Sequence, residues 1–252
     1  MLTNDLREFA RAPGAYLDPA GTEIVDDDRY FAAIVAGGRY VNVLRLRFPP
    51  GVAAEVLTEV RALAPSAIGS WQTDSRDLAE ALVAAGARHP EPPLEREFTA
   101  LATGTAPPVV EGIDVRRVET FDDYLAGLEI ALSAEQYTDE VRARRREEAR
   151  AHYERRKGGP SMEWLASIDG EPVGHARAFP GPRGLVLDGA ATLPSARGRG
   201  AYRALIAARW DEAVARGTPA LVVQAQDTSR PILERCGFEV VCTMYEVEHD
   251  PL

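Results

Sequence analysis

The sequence predicts an α/β protein built as two units. Three observations carry this. Residues 185–216 run as an apolar strand, an Arg/Gly turn and an amphipathic helix. Strand and helix periodicities alternate through both halves of the chain. Between the halves lies Thr103-Gly104-Thr105-Ala106-Pro107-Pro108, small, polar and proline-rich as linkers are. The expected units are residues 1–106 and 107–252.

In the first half, Tyr40 to Phe48 alternates as a strand and Val52 to Leu63 has helical spacing. Ile68 to Gln72 is a short strand, and Ser75 starts a helix that ends before Gly86. In the second half, Ile113 to Val118 alternates as a strand. Phe121 to Leu132 is helical with Thr120 as its cap, and Thr138 or Asp139 opens a long charged helix to Lys157. Met162 to Ile168 and Pro172 to Phe179 are strands joined at Asp169-Gly170, a strong hairpin signal. Strand 184–194, helix 200–216, strand 221–224, a short helix after Ser229 and strand 238–247 complete the order.

The turn between strand and helix reads Arg197-Gly198-Arg199-Gly200-Ala201-Tyr202. The first amides of a helix lack intrahelical partners and carry the positive end of its dipole, so a turn that feeds a helix presents donors to a phosphate. Gly198 and Gly200 allow positive φ and close backbone approach, and Arg197 and Arg199 add charge. No Lys-Ser/Thr follows the glycines, so the loop is not a Walker A phosphate loop.

These residues resemble the pyrophosphate loop of the GNAT superfamily of acyl-CoA N-acyltransferases, with Arg197 to Ala201 matching its first five places and Tyr202 departing at the sixth. Gly237-Phe238 resembles the close of the family's next motif, with Ser229 as the expected cap of the preceding helix and Pro231 in its first turn. Leu233 stands where many members carry the tyrosine that protonates the departing thiolate. Tyr202, Tyr137 and Tyr245 are the alternatives for that acid, and release of the thiolate to solvent needs none. The segment 71–78 echoes 223–230, a faint internal repeat, yet Pro49-Pro50-Gly51 replaces the glycine loop in the first copy and removes amide donors. The first unit thus resembles a degenerate GNAT-like domain and the second one that binds acyl-CoA.

The resemblance implies acetyl-CoA as cosubstrate and no metal. The loop residues Arg197 to Tyr202 and Ser229 would contact it, and amides around Ala191, Thr192 and Leu193 would hold the thioester carbonyl. Transfer to a primary amine needs oxyanion donors and a base for the incoming ammonium. Asp188 is the first candidate base, on the apolar strand that leads to the loop and in phase with Ala190 and Thr192; a salt bridge at the strand edge would explain it equally. His175 and Glu163 are the others, each with a structural alternative as a hydrogen-bonded interior residue. A GNAT-like protein that binds acyl-CoA or a partner without turnover remains the alternative function.

A net charge of −10 argues against nucleic acid. The arginines between Arg142 and Arg156 are interleaved with Glu140, Glu147, Glu148 and Glu154, as on a solvated helix face with i,i+4 pairs. The acidic balance weakly favours a cationic acceptor, either a small molecule or a peptide amine. No apolar run reaches the roughly 18 residues of a membrane span. The polar Thr3-Asn4-Asp5 start lacks a signal-peptide pattern, so a cytoplasmic protein is expected. Cys236 and Cys242 read as plain thiols, and a homodimer is left open.

Overall fold

The computed structural model describes residues 1–17, 22–35, 37–91, 96–134 and 137–252. In chain order the first half holds α1 (Asn4–Arg11), β1 (Glu23–Asp26), β2 (Phe31–Val35), β3 (Tyr40–Leu44), α2 (Ala53–Leu63), β4 (Ile68–Thr73), α3 (Arg76–Ala84) and β5 (Glu97–Thr103). The second holds β6 (Asp114–Arg117), α4 (Phe121–Ala134), α5 (Asp139–Glu147), α6 (Ala149–Arg156), β7 (Met162–Ile168), β8 (Glu171–Gly181) and β9 (Gly184–Thr192). It ends with α7 (Ala201–Ala215), β10 (Leu221–Ala225), α8 (Arg230–Arg235) and β11 (Glu239–His249). Among the described residues no helix is long and apolar enough to cross a membrane.

Two compact units result. The first comprises Met1–Ala102 with Val223–Glu234 and Phe238–Leu252, and the second Thr103–Val222 with Arg235–Gly237. The chain first passes from one unit to the other between Ala102 and Thr103, and the C-terminal strand folds into the first unit.

The first unit has strand order β1-β2-β3-β4-β11-β5. β1, β2 and β3 form an antiparallel meander, and β3 runs parallel to β4 through the crossover helix α2. β11 is antiparallel to both β4 and β5. Its core gathers Val41, Val43, Val56, Leu57, Val60, Trp71, Leu82 and Val247 between the sheet and helices α2 and α3. Ser75 caps α3 by accepting from the Leu78 amide at 3.3 Å. Where a phosphate loop would lie, Pro50–Val52 makes a 3₁₀ turn whose Val52 amide donates to the Pro49 carbonyl and whose Ala53 amide donates to that of Pro50. Those two amides are engaged within the turn, and Pro49 and Pro50 have none to offer. The strand expected to reach Phe48 stops at Leu44, because Arg45 takes φ 52° and turns the chain.

The second unit has the order β9-β8-β7-β6, antiparallel throughout, and Leu221 and Val222 at the start of β10 pair parallel with β9 through the same kind of crossover, built around α7. Asp169 and Gly170, at φ 53° and 86°, make the β7–β8 turn. Helices cover both faces. Gly174 lets α7 lie close, since a Cβ there would stand 3.1 Å from Leu205 Cδ1. On the other face α4 packs Ile130 against Leu165 and Ala191. The long charged helix expected to Lys157 is broken at Glu148 into α5 and α6. The break seats α6 on α4, where Tyr153 meets Phe121 and Tyr124 at ring-centre distances of 5.5 and 5.7 Å.

Candidate active site

The loop between β9 and α7 has the conformation an anion site requires. Gly198 and Gly200 take φ of 78° and 100°, and Gly200 is the N-cap of α7. A Cβ on Gly198 would meet nothing, whereas one on Gly200 would press on Val110 Cγ1 at 3.0 Å. Arg197 reaches the Ala134 carbonyl at 3.5 Å and Arg199 lies 3.8 Å from Asp169. Ala201 is buried. Tyr202 points inward rather than into the loop, and burial raises its phenol pKa, with Arg209 opposing and the Cys236 thiol adding to the rise. Its bulk therefore leaves the loop intact. Ser229 lies in the first unit, where its Oγ donates to the Gln226 carbonyl at 3.1 Å instead of accepting from a helix amide as expected of a cap.

Strand register decides which side chains converge. β8 and β9 pair Ala176 with Ala190 but Arg177 with Asp188, so Gly189, at φ 44°, is an extra residue in β9. This bulge resets the alternation. Asp188 is in phase with Ala191 on the α4 face, and the expectation that it shares a face with Ala190 and Thr192 is incorrect. Through the pairs Glu163↔Arg177, Leu165↔His175 and His175↔Ala191, the α4 face collects Glu163, His175, Arg177 and Asp188. The three candidate bases are thus on one surface.

There they form ion pairs. Glu163, among the few buried charged residues, accepts from His175 Nε2 at 2.8 Å and from Arg156 at 3.0 Å. Burial alone would raise the Glu163 pKa; the hydrogen bond and charge of His175, with Arg156 and Arg177, outweigh it and hold it below the ordinary carboxylate value. Asp188 is bound by Arg177, the strand-edge salt bridge that its sequence setting allowed. From the α7 face the fully buried Arg209 braces this point by donating to the Arg177 carbonyl at 3.1 Å, and burial pulls its guanidinium down to about 10.

A cavity of about 460 Å³ opens on this surface. Glu163, His175, Arg177 and the bulge residues Gly189 to Ala191 form its floor; Tyr124 and Gly127 of α4 and Arg144, Arg145 and Arg156 of α5 and α6 contribute to its walls. Tyr137, one of the candidate acids, also lines it, with Arg145 4.3 Å over its ring. Tyr245 is not among its lining residues and lies in the first unit beside Arg76. Leu233, in the acid's usual place, is completely buried.

The oxyanion donors need a correction. The Leu193 amide donates to the Val173 carbonyl at 2.9 Å and is unavailable. Antiparallel alternation then turns the Ala191 amide toward β8 and those of Ala190 and Thr192 away from it. Beyond Leu185 and Val186, which pair with β10, β9 has no registered partner on that side, and Gly189 and Ala190 are exposed.

Sequence reasoning missed Gly127, Tyr124, Arg177 and the wall arginines. Gly127 carried no local signal: its value is that a Cβ would lie 2.6 Å from His175 Cδ2. The arginines were read as a solvated helix face. In the fold Arg144 and Arg146 are exposed, as that reading expects, but ion pairs also leave the helix, Arg146 to Glu129 at 2.7 Å and Arg156 to Glu163 at 3.0 Å.

The Acetyltransferase (GNAT) family pattern matches residues 128–238, which include α7, its loop and the cavity floor. No curated protein sequence matches the chain. Among solved structures, a GCN5-related N-acetyltransferase from Kribbella flavida is similar at TM-score 0.67 and 16% identity, covering 100% of this chain and 97% of that one. A tandem GNAT protein from the clavulanic acid biosynthesis pathway is similar at TM-score 0.58 and 15% identity, over 99% and 89%. A GCN5-related N-acetyltransferase from Sphaerobacter thermophilus is similar at 0.56 and 18%, over 87% and 76%. Residues 128–238 thus match the GNAT family pattern, and the fold of the whole chain is similar to that of GNAT proteins.

Proposed function

We propose that the protein is an acetyl-CoA-dependent N-acetyltransferase acting on a primary amine, with residues 107–252 as the acyl-CoA-binding domain and residues 1–106 as a degenerate companion. The observation that carries the reading is the Glu163–His175 pair on the floor of a cavity formed by β7, β8 and the β9 bulge. The family relationship supports acyl transfer from acyl-CoA.

In this reading Gly198, Gly200, Ala201 and Tyr202 offer backbone donors to the pyrophosphate, with Arg197 and Arg199 beside them. Acetyl-CoA supplies the thioester; the Ala190 and Thr192 amides hold its carbonyl oxygen and stabilise the oxyanion formed when the amine attacks. Glu163, kept anionic, accepts from His175 Nε2–H and fixes the tautomer in which Nδ1 is free to take the ammonium proton. The C–S bond then breaks, and the thiolate takes a proton from Tyr137 or from water. Asp188 is engaged by Arg177, so its part is to position that guanidinium.

The test uses the whole chain. His175→Ala should lower kcat on an amine acceptor by roughly 10² to 10⁴, the usual contribution of a base, with acetyl-CoA affinity retained. Asp188→Asn should change kcat much less. Gly200→Asp should abolish acetyl-CoA binding in calorimetry, and the wild type should bind one acetyl-CoA per chain. Acetyl-CoA binding without thiol release for any amine would favour the non-catalytic alternative; two bound per chain would refute the degenerate first unit.

A further inference from the structure

The cavity wall carries charge that the catalytic reading leaves unused. Arg144 and Arg145 face the cavity from α5, and among the described residues neither has a carboxylate within ion-pair distance. Their neighbours differ: Arg146 is held by Glu129, Arg156 by Glu163 and Arg177 by Asp188. Arg145 instead lies over the Tyr137 ring, a contact that keeps the guanidinium edge free to donate. Arg177 adds a buried Nε without a partner.

The local balance opposes that of the whole chain. Four lining guanidinium groups, Arg144, Arg145, Arg156 and Arg177, stand against the lining carboxylates Glu148 and Glu163 and against Asp188 behind Arg177, an excess of one positive charge in a chain of net −10. His152, 3.5 Å from Glu148, is pushed toward its neutral form by burial and by Arg155 and Arg156. The pyrophosphate of the cosubstrate does not explain the excess. Its loop leads into α7, which packs on the opposite face of the sheet from α4 and the cavity.

We infer that the acceptor is a small amine that also bears an anionic group, carboxylate or phosphate, which Arg144 and Arg145 bind while the amine is presented to His175. This rests on the reading of the cavity as the acceptor site. A volume of about 460 Å³ suits a small molecule. It replaces the sequence-based preference for a cationic acceptor, which took the net charge of the chain as a guide to a site whose local charge has the other sign. A guanidinium fork recognises carboxylate and phosphate oxygens with paired charge-assisted hydrogen bonds.

Matched acceptors test it in the full-length protein. Thiol release from acetyl-CoA is measured for amino acids against their decarboxylated amines, and for phosphoethanolamine against ethanolamine. In parallel, calorimetry in the presence of CoA measures binding of the same compounds. The anionic member of each pair should be favoured at least tenfold in kcat/KM and in affinity, and the preferred pair identifies carboxylate or phosphate. Arg144→Ala with Arg145→Ala should raise the KM for the anionic acceptor by about ten- to a hundredfold, the worth of lost charge-assisted bonds. The acetyl-CoA affinity should be unchanged, and Arg→Lys at both positions should recover part of the loss. Equal or better use of the uncharged partners, or an unchanged KM in the double variant, overturns the inference. If no compound is acetylated, the catalytic reading fails, and the calorimetric preference still decides this one.

Discussion

Gly127 sets the place of the imidazole although it makes no polar contact. It lies inside α4, where alanine would ordinarily be favoured by about 1 kcal/mol. Here the added methyl would stand 2.6 Å from His175 Cδ2 and 3.1 Å from Nε2, on the side of the ring that bonds Glu163. Gly127→Ala should therefore keep or raise the helical signal in circular dichroism while kcat falls about 10²-fold, the effect of a 1 Å misplacement of a catalytic group. Unaltered turnover would show that the His175–Glu163 geometry is not limiting. Glu163 has a stability consequence of its own. Its folded pKa is depressed, so its contribution is present above the ordinary value of 4.5 and is lost as pH falls through the lower folded value.

At the scale of elements, the β9 bulge places the site. Gly189 interrupts the pairing with β8 and leaves Gly189 and Ala190 exposed where β9 has passed its last partner in β10. Deleting Gly189 would restore an unbroken ladder and straighten the strand. Thermal stability should hold or rise, whereas on the proposed function acetyl transfer should fall about 10²-fold through misplaced Ala190 and Thr192 amides. Comparison of melting curves with thiol-release rates tests both halves. This bulge also marks how far local pattern reaches. β7 at Met162–Ile168, the Asp169-Gly170 turn and the Arg197–Tyr202 loop were legible because their residues specify them locally. Gly189 was not, since a glycine between Asp188 and Ala190 reads like any strand glycine, and only pairing with β8 reveals the phase change. β2 and β5 escaped notice for a related reason: segments such as Phe31–Val35 are buried on both faces and have no alternation to detect. That Arg144, Arg145 and Arg156 line a cavity depends on the break at Glu148 between α5 and α6, which charge patterning cannot foretell.

At the scale of the molecule, the C-terminal strand completes a unit begun by the N-terminus. His249 of β11 is buried against Trp71 of β4, accepting from the indole Nε1 at 2.9 Å, and Gly69 is what makes room for its ring. Burial, with Arg61 nearby, pulls the His249 pKa to about 4 from 6.5. Between those values the unfolded chain binds the extra proton, so stability is greatest above pH 6.5 and declines by up to about 3 kcal/mol as pH falls to about 4. Denaturant titrations across that range should show the decline, and His249→Gln should flatten it. The position of β11 between β4 and β5 has a further consequence, for the living history of the chain. A polypeptide emerging from the ribosome would present β4 and β5 long before the strand that joins them, with Ser70 waiting for Glu246, its hydrogen-bond partner 176 residues later. Two unsatisfied strand edges would stand open until β11 followed, so the unit that β4 and β5 begin would close only after the whole of the other had been made.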